Sequence, residues 1–205
     1  MSDLTEAYLE ESLAALAAFR DDAQARATLV AMADRVTAAM RAGRKLLIAG
    51  NGGSAADAQH MAGEIVGRLW LERAPLPAIA LTVDSSILTA VGNDYGYEHV
   101  FERQVIGLGQ EGDVFLGIST SGRTPNILRA FAAAEARGMA RLGFTGSGDS
   151  PMPQACELLL RAPSPKTSVI QQIHIVAVHV LCGLIEQAMF PAQAPPYGNR
   201  QSGIR

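Results

Sequence analysis

From Lys45 onward, the apolar positions of this 205-residue chain fall into short continuous runs, each followed by a glycine or serine turn and then a segment with helical spacing. The runs are KLLIAG, PAIAL near residue 79, DVFLGIS near 115, ARLGFTG near 143 and ELLLRA near 159. Apolar runs without polar alternation fit strands buried on both faces, although periodicity alone does not separate them from buried helix. Strands alternating with helices need crossover connections, so the pattern predicts five parallel strands in a three-layer αβα sandwich.

The first 43 residues follow a different period. Leu9, Leu13, Leu16 and Phe19 recur at helical spacing in a segment rich in Ala, Leu, Glu and Arg. Two helices are predicted, broken at Asp21 and Asp22 and stopped at Gly43. No strand precedes them, so residues 1–43 are expected to stand outside the β/α alternation as a platform for self-association. Residues 44–190 then form the main domain. A last helix is predicted from about Thr167 to Met189, bracketed by Pro163, Pro165 and Pro191. The tail, residues 191–205, has no core pattern and is expected to be loose or partner-dependent.

Composition narrows the class. With 48% hydrophobic and 18% charged residues, the chain has the balance of a folded soluble protein. A net charge of −3 offers no general footprint for nucleic acid. The acidic, amphipathic N-terminus lacks the basic start and apolar core of a secretory signal, so a cytoplasmic location is expected. The apolar stretch from Ile173 to Ile185 is interrupted by His174 and His179 and is shorter than the ~20 residues that cross a bilayer, so no membrane is expected. Cys156 and Cys182 have neither CxxC nor metal-ligand spacing and are expected as reduced core thiols.

In an open parallel sheet, ligands bind outside the carboxyl ends of the strands, so the turns there bear the chemistry. Two stand out: Asn51-Gly52-Gly53-Ser54, and Ser119-Thr120-Ser121-Gly122-Arg123-Thr124 before a helix starting near Pro125. Hydroxyls and free N–H groups at a helix N-terminus suit a phosphate monoester, and the same residues also serve as plain N-caps. Neither turn is a P-loop or a dinucleotide fingerprint, which favours a small phosphorylated metabolite over a nucleotide.

His60 and Glu64, four residues apart, project from one helix face and can bind a metal or move protons. His174, alone on an apolar helix, is expected to be a core residue. Asn93-Asp94, placed in a loop between two helical stretches, is either an ordinary turn or a pair that holds sugar hydroxyls.

Taken together, GNGGSAADAQHMAGEIVGR, the VGND segment, GDVFLGISTSGRTPN and IQQIHIVAVHVLCGLIE resemble the sugar isomerase (SIS) domain family, over roughly residues 5 to 190. The resemblance implies a flavodoxin-like fold with an N-terminal helical extension, assembled as a homotetramer. It also implies aldose–ketose isomerisation of D-sedoheptulose 7-phosphate and D-glycero-D-manno-heptose 7-phosphate through an enediol, an early step in making activated heptose for lipopolysaccharide or related glycoconjugates. Carried over by position, Ser119, Thr120, Ser121 and Thr124 hold the phosphate. Asn51, Gly52 and Gly53 assist there, while Asn93 and Asp94 contact hydroxyls. His60, Glu64, Gln171 and His179 hold one Zn2+ per subunit, with Gln171 and Glu64 also touching substrate and Glu64 and His179 forming the acid–base pair.

Gln172 and Ser168 depart from the family pattern at positions that are often acidic, which leaves sugar preference less defined than reaction type. Gln171 and His179 also lie roughly 12 Å apart along one helix. They reach one ion only by leaning together, or His60 and Glu64 meet the helix of another subunit. Two alternatives share these features: a non-catalytic SIS protein that binds the bacterial replication initiator, and an isomerase or sensor for another sugar phosphate. A pure binding protein has no use for both Glu64 and His179.

Overall fold

The computed structural model describes residues 2–193, so the tail from residue 194 onward lies outside the described residues. Helices α1 (Ser2–Asp21) and α2 (Ala23–Arg41) break where the acidic pair stands. The Asp22 side chain caps α2 by accepting from the N–H groups of Gln24 at 2.8 Å and Ala25 at 3.0 Å. Five strands follow: β1 (Leu46–Gly50), β2 (Ala78–Ala80), β3 (Val114–Ile118), β4 (Ala140–Thr145) and β5 (Leu158–Arg161). All pair in parallel, in the order β2-β1-β3-β4-β5.

Between the strands run α3 (Gly53–Val66), α4 (Ser85–Tyr95), a 3₁₀ turn (Tyr97–His99), α5 (Val100–Leu108), α6 (Pro125–Ala136) and the four-residue α7 (Met152–Ala155), and α8 (Thr167–Met189) follows β5. The parallel αβα sandwich and the last helix are therefore as the hydrophobic pattern predicts. One placement differs: Asn93 and Asp94 stand in the last turn of α4, not in a loop. Asp84 starts this helix by accepting from the Ile87 N–H at 2.9 Å, and nothing stops it before Gly96. The turn preference of Asn and Asp is weak enough for a well-started helix to override.

Successive residues of each strand feed opposite faces of the sheet. Leu46, Ile48, Leu116, Leu142 and Phe144 pack beneath α2, α3 and α8, whereas Leu47, Ala49 and Phe115 pack with Phe101, Ile127 and Phe131 of α5 and α6. Gly117 leaves room on β3 for Phe131, whose ring meets Phe115 edge-on at 5.1 Å. Such a pair contributes about 0.5–1.5 kcal/mol beyond its buried area. Helix α8, 23 residues long and apolar enough by composition to span a bilayer, instead buries Val169, Ile173, Ala177 and Leu181 in the first of these layers. His174 is fully buried there, as expected of a core residue. Burial pushes its pKa down to about 4, against the opposing bond to the Thr145 carbonyl, so the ring is neutral near pH 7. Cys182 is buried and free, and Cys156 is half-buried and free.

Among the described residues, one ion pair is closed off from water on both sides. Arg73 and Glu186 meet at 2.9 Å with side chains 0% and 1% exposed. Burial raises the Glu186 carboxyl pKa, but N–H donors from Leu69 and Trp70 and the Arg73 guanidinium outweigh it, holding the group below its ordinary value. Because the folded value is the lower one, this contribution to stability is complete above the unfolded value of about 4.3 and is lost as pH falls through the folded one. Arg73→Met should lower the unfolding free energy by about 3–5 kcal/mol in urea titrations at pH 7, with the deficit shrinking in acid.

Candidate active site

Gly50 at the end of β1 stands in register with Ile118 at the end of β3, so the next residues, Asn51 and Ser119, leave the sheet side by side. Their side chains then diverge into two linked turns. Asn51 and Asn126 exchange amide hydrogen bonds at 2.9 and 3.0 Å, which ties the turn after β1 to the first turn of α6. Ser119 and Thr124 hydroxyls meet at 2.8 Å across the second turn, and the Gly122 N–H closes it onto Ser119 Oγ at 3.1 Å. Gly52 and Gly122 have φ of 57° and 64°, backbone that a side chain resists. A side chain at 122 would also collide with the Ser150 and Thr145 hydroxyls beneath it.

These turns enclose a crevice of about 330 Å³ lined by Asn51, Gly52, Gly53, Ser119, Thr120, Thr124, Thr167 and Gln171, among others. Three helices begin on it: α3 at Gly53, α6 after Thr124 and α8 at Thr167. None has a side-chain cap on its first N–H groups. Thr124, at the cap position of α6, spends its hydroxyl on Ser119 instead. Three helix N-termini facing one small space make it electropositive through their dipoles. Ser121 is exposed and accepts from the Arg123 N–H at 3.3 Å. Gln171 lies so close to Gly53 that a Cβ there would fall 2.4 Å from its amide nitrogen.

Further along α8 is a second group of polar side chains. His60 Nε2 and His179 Nε2 are 2.9 Å apart with their rings perpendicular, and Glu64 Oε1 is 3.2 Å from His60 Nε2. All three offer ligand atoms within 4.8 Å of one another. Helices α3 and α8 of the same chain supply these three, so His60 and Glu64 meet His179 without a second subunit, whereas Gln171 is set against Gly53 in the crevice, two turns away along α8. The group can hold a metal ion, and imidazole with carboxylate is a donor set that zinc accepts. An apolar hollow of about 450 Å³ lies beside it, lined by Trp70, Val176, His179 and Gly183 among others.

Asn93 and Asp94 are exposed, and the Asn93 amide donates to Asp94 at 2.8 Å. The neighbouring residue Tyr97, absent from the sequence-based candidates, reaches the crevice by donating its hydroxyl to Asn51 Oδ1 at 3.1 Å. Asn126 was also missed, although its place in the first turn of a helix after a Ser/Thr turn was a readable signal. Asp57, one turn before His60 on α3, is buried with one carboxylate oxygen lacking a hydrogen-bond partner. Burial pushes its pKa up to about 6, with His60 opposing.

Comparison with known proteins agrees with this fold. The SIS domain family matches residues 7–146. A phosphoheptose isomerase of Burkholderia pseudomallei is 52% identical over 190 residues, covering 91% of this chain and 96% of the relative. One from a Bradyrhizobium species is 54% identical over 187 residues, covering 91% and 94%. Among solved structures, the phosphoheptose isomerase of Neisseria gonorrhoeae superposes with a TM-score of 0.83 at 39% identity, over 91% of this chain and 98% of the other. That of Francisella tularensis gives 0.85 at 36%, over 90% and 97%. The parallel sheet with a donor-lined crevice at its carboxyl edge, and these likenesses across nearly the whole length, place the chain in the SIS domain family, among its phosphoheptose isomerases.

Proposed function

We propose that this protein interconverts D-sedoheptulose 7-phosphate and D-glycero-D-manno-heptose 7-phosphate, an aldose–ketose isomerisation that supplies heptose for activation. The observation that carries this reading is the spacing of the two polar regions along α8. Gln171 in the crevice and His179 in the His/Glu/His group are two turns apart, roughly 12 Å at 1.5 Å per residue. A substrate with phosphate on C7 and its reacting carbons at C1 and C2 likewise carries its anion at one end and its chemistry at the other. Ser119, Thr120, Ser121 and Thr124, assisted by Asn51, Gly52 and Gly53, are proposed to receive the phosphate at the three helix N-termini. Asn93 and Asp94 are proposed to meet hydroxyls in between.

The reaction moves two hydrogens and no net electrons. In the ketose-to-aldose direction, Glu64 takes a proton from C1 while the C2 carbonyl oxygen gains one from His179. An enediol results, with a double bond between C1 and C2. Return of a proton to C2 and loss of the O1 proton then leave the aldehyde. Positioned acid–base groups of this kind are typically worth ~10²–10⁴-fold each. Zn2+ is the proposed ion for His60, Glu64 and His179, and when bound it would supply a Lewis acid that polarises the carbonyl; Gln171, set against Gly53 in the crevice, is proposed to touch substrate.

Assembly as a homotetramer through the N-terminal helices, residues 1–43, completes the proposal, with residues 44–190 as the catalytic SIS unit working in the cytoplasm. Helix α1 supports it by leaving Leu9 and Leu13 57% and 66% exposed on one stripe, whereas α2 packs its own apolar face against α8.

Three measurements test these assignments. Purified protein incubated with sedoheptulose 7-phosphate should generate the aldose by NMR. In that assay Glu64→Gln or His179→Gln should lower kcat at least ~10²-fold in folded protein, and the Ser119→Ala/Thr124→Val pair should mainly raise KM. Absence of turnover in the wild-type chain would overturn the reaction. Elemental analysis of protein purified without chelator should find about one zinc per chain, lost in His60→Ala. Light scattering should give a mass about four times that of the chain, and Leu9→Ser/Leu13→Ser should reduce it; a monomeric wild type refutes the assembly.

A further inference from the structure

The helices that carry His60, Glu64 and His179 pack mainly through apolar side chains: Ala58, Met61 and Ile65 from α3, and Ala177, Val178 and Leu181 from α8. Burial of this kind is strong but non-directional, so it tolerates small slides of one helix along the other. A slide equal to one residue's rise, about 1.5 Å, would be enough to separate the 2.9 Å contact between His60 and His179. Something directional has to set the register.

The buried ion pair is built for that task. Glu186 lies on α8 two turns beyond His179, close to the same face. Its carboxylate accepts from the N–H groups of Leu69 at 2.9 Å, Trp70 at 2.9 Å and Leu71 at 3.3 Å, and from Arg73 Nε at 2.9 Å. The Arg73 guanidinium then turns back to the end of α3. It donates through Nη2 to the Glu64 carbonyl at 2.8 Å and through Nη1 to the Ile65 carbonyl at 2.9 Å and the Gly67 carbonyl at 3.3 Å. These are carbonyls that a helix end leaves without an intrahelical partner. Glu64 is thereby held at both ends, its carboxylate among the histidines and its main chain on Arg73. Between clamp and histidines, the Trp70 ring lies flush on α8: a Cβ at Gly183 would come within 2.2 Å of it.

We propose that Arg73 and Glu186 are positioning residues for the isomerase site, a clamp that sets the axial register of α3 on α8 and so the approach of His60 and Glu64 to His179. Neither residue touches the reacting groups. Their effect passes through the main chain of Glu64 and through α8, in the way that outer groups orient the ligands of a metal. The inference rests on the isomerase and metal reading above and names the part of the fold on which that site depends.

The test compares Arg73→Lys and Glu186→Gln with a control that loses a buried charge pair elsewhere. Asp113, fully buried, accepts from the Lys45 N–H and ammonium at the amino edge of the sheet, far from the histidines, so Asp113→Asn serves. Zinc affinity is read by competition with a chromophoric chelator, alongside kcat and KM for sedoheptulose 7-phosphate. Both clamp variants should bind zinc about 10–100-fold more weakly and lose kcat with KM nearly unchanged, while Asp113→Asn keeps zinc affinity and kcat despite lower resistance to urea. Gly183→Ala, which pushes Trp70 off α8 without altering a charge, should weaken zinc in the same range and decides the matter if the clamp variants do not fold. Wild-type zinc affinity in the clamp variants, or an equal loss in Asp113→Asn, overturns the proposal. A wild-type chain that binds no zinc removes the metal reading instead, and the clamp then stands or falls on whether kcat drops at constant KM in its variants and not in the control.

Discussion

The rest of the molecule depends on the parallel pairing of β1 with β3. These strands are distant in sequence, yet they lie adjacent in the middle of the sheet with Gly50 opposite Ile118. Because both run the same way, both release their turns at one edge. The helices that follow must then cover opposite faces: α3 joins α2 and α8 on one side, and α6 joins α5 on the other. Diverging helices leave an opening between their first turns, which is where the strand order reverses and where ligands of open α/β sheets bind. The amide exchange between Asn51 and Asn126 bridges that opening and keeps the two turns together.

Helix α8 gives the opening its length. Its N-terminus contributes Thr167 and Gln171 to the crevice, and its middle contributes His179 to the histidine group. One rigid element thus spans from the crevice to the His/Glu/His group. Two histidines five positions apart on this helix have opposite fates. His174 points into the core beside Phe144 at 5.5 Å and stays neutral, whereas His179 faces His60 at the surface of the first layer. Residue type is the same in both, and the helical phase relative to the sheet decides which can take part in chemistry.

Electrostatics are distributed accordingly. The crevice is bordered by helix N-termini, whose dipoles carry partial charge without side-chain entropy. The full charges are placed where they organise the scaffold: Asp113 with Lys45 at the amino edge of the sheet, and Glu186 with Arg73 between α3 and α8. Buried pairs of this kind add little to stability over an apolar equivalent, but they are directional, and losing one partner is costly.

The sequence by itself determined the elements. Hydrophobic period separated the N-terminal helices from the β/α region, the acidic pair at 21 and 22 marked the first break, and the prolines around residues 163, 165 and 191 bounded α8. The Gly/Ser/Thr turns after β1 and β3 were legible as candidate donor sites because only certain residues suit a strand end that opens a helix. Asn93 and Asp94 were misplaced because local turn preference is weaker than a helix already started at Asp84. Only the tertiary structure decided which distant residues meet. It put His60 and Glu64 against His179 within one chain, set Gln171 against Gly53, brought Tyr97 and Asn126 onto Asn51, and closed Arg73 on Glu186. Periodicity records which face of an element is buried. It carries no record of which other element covers that face or in what register, because those follow from strand order and from directional bonds between residues far apart in the chain.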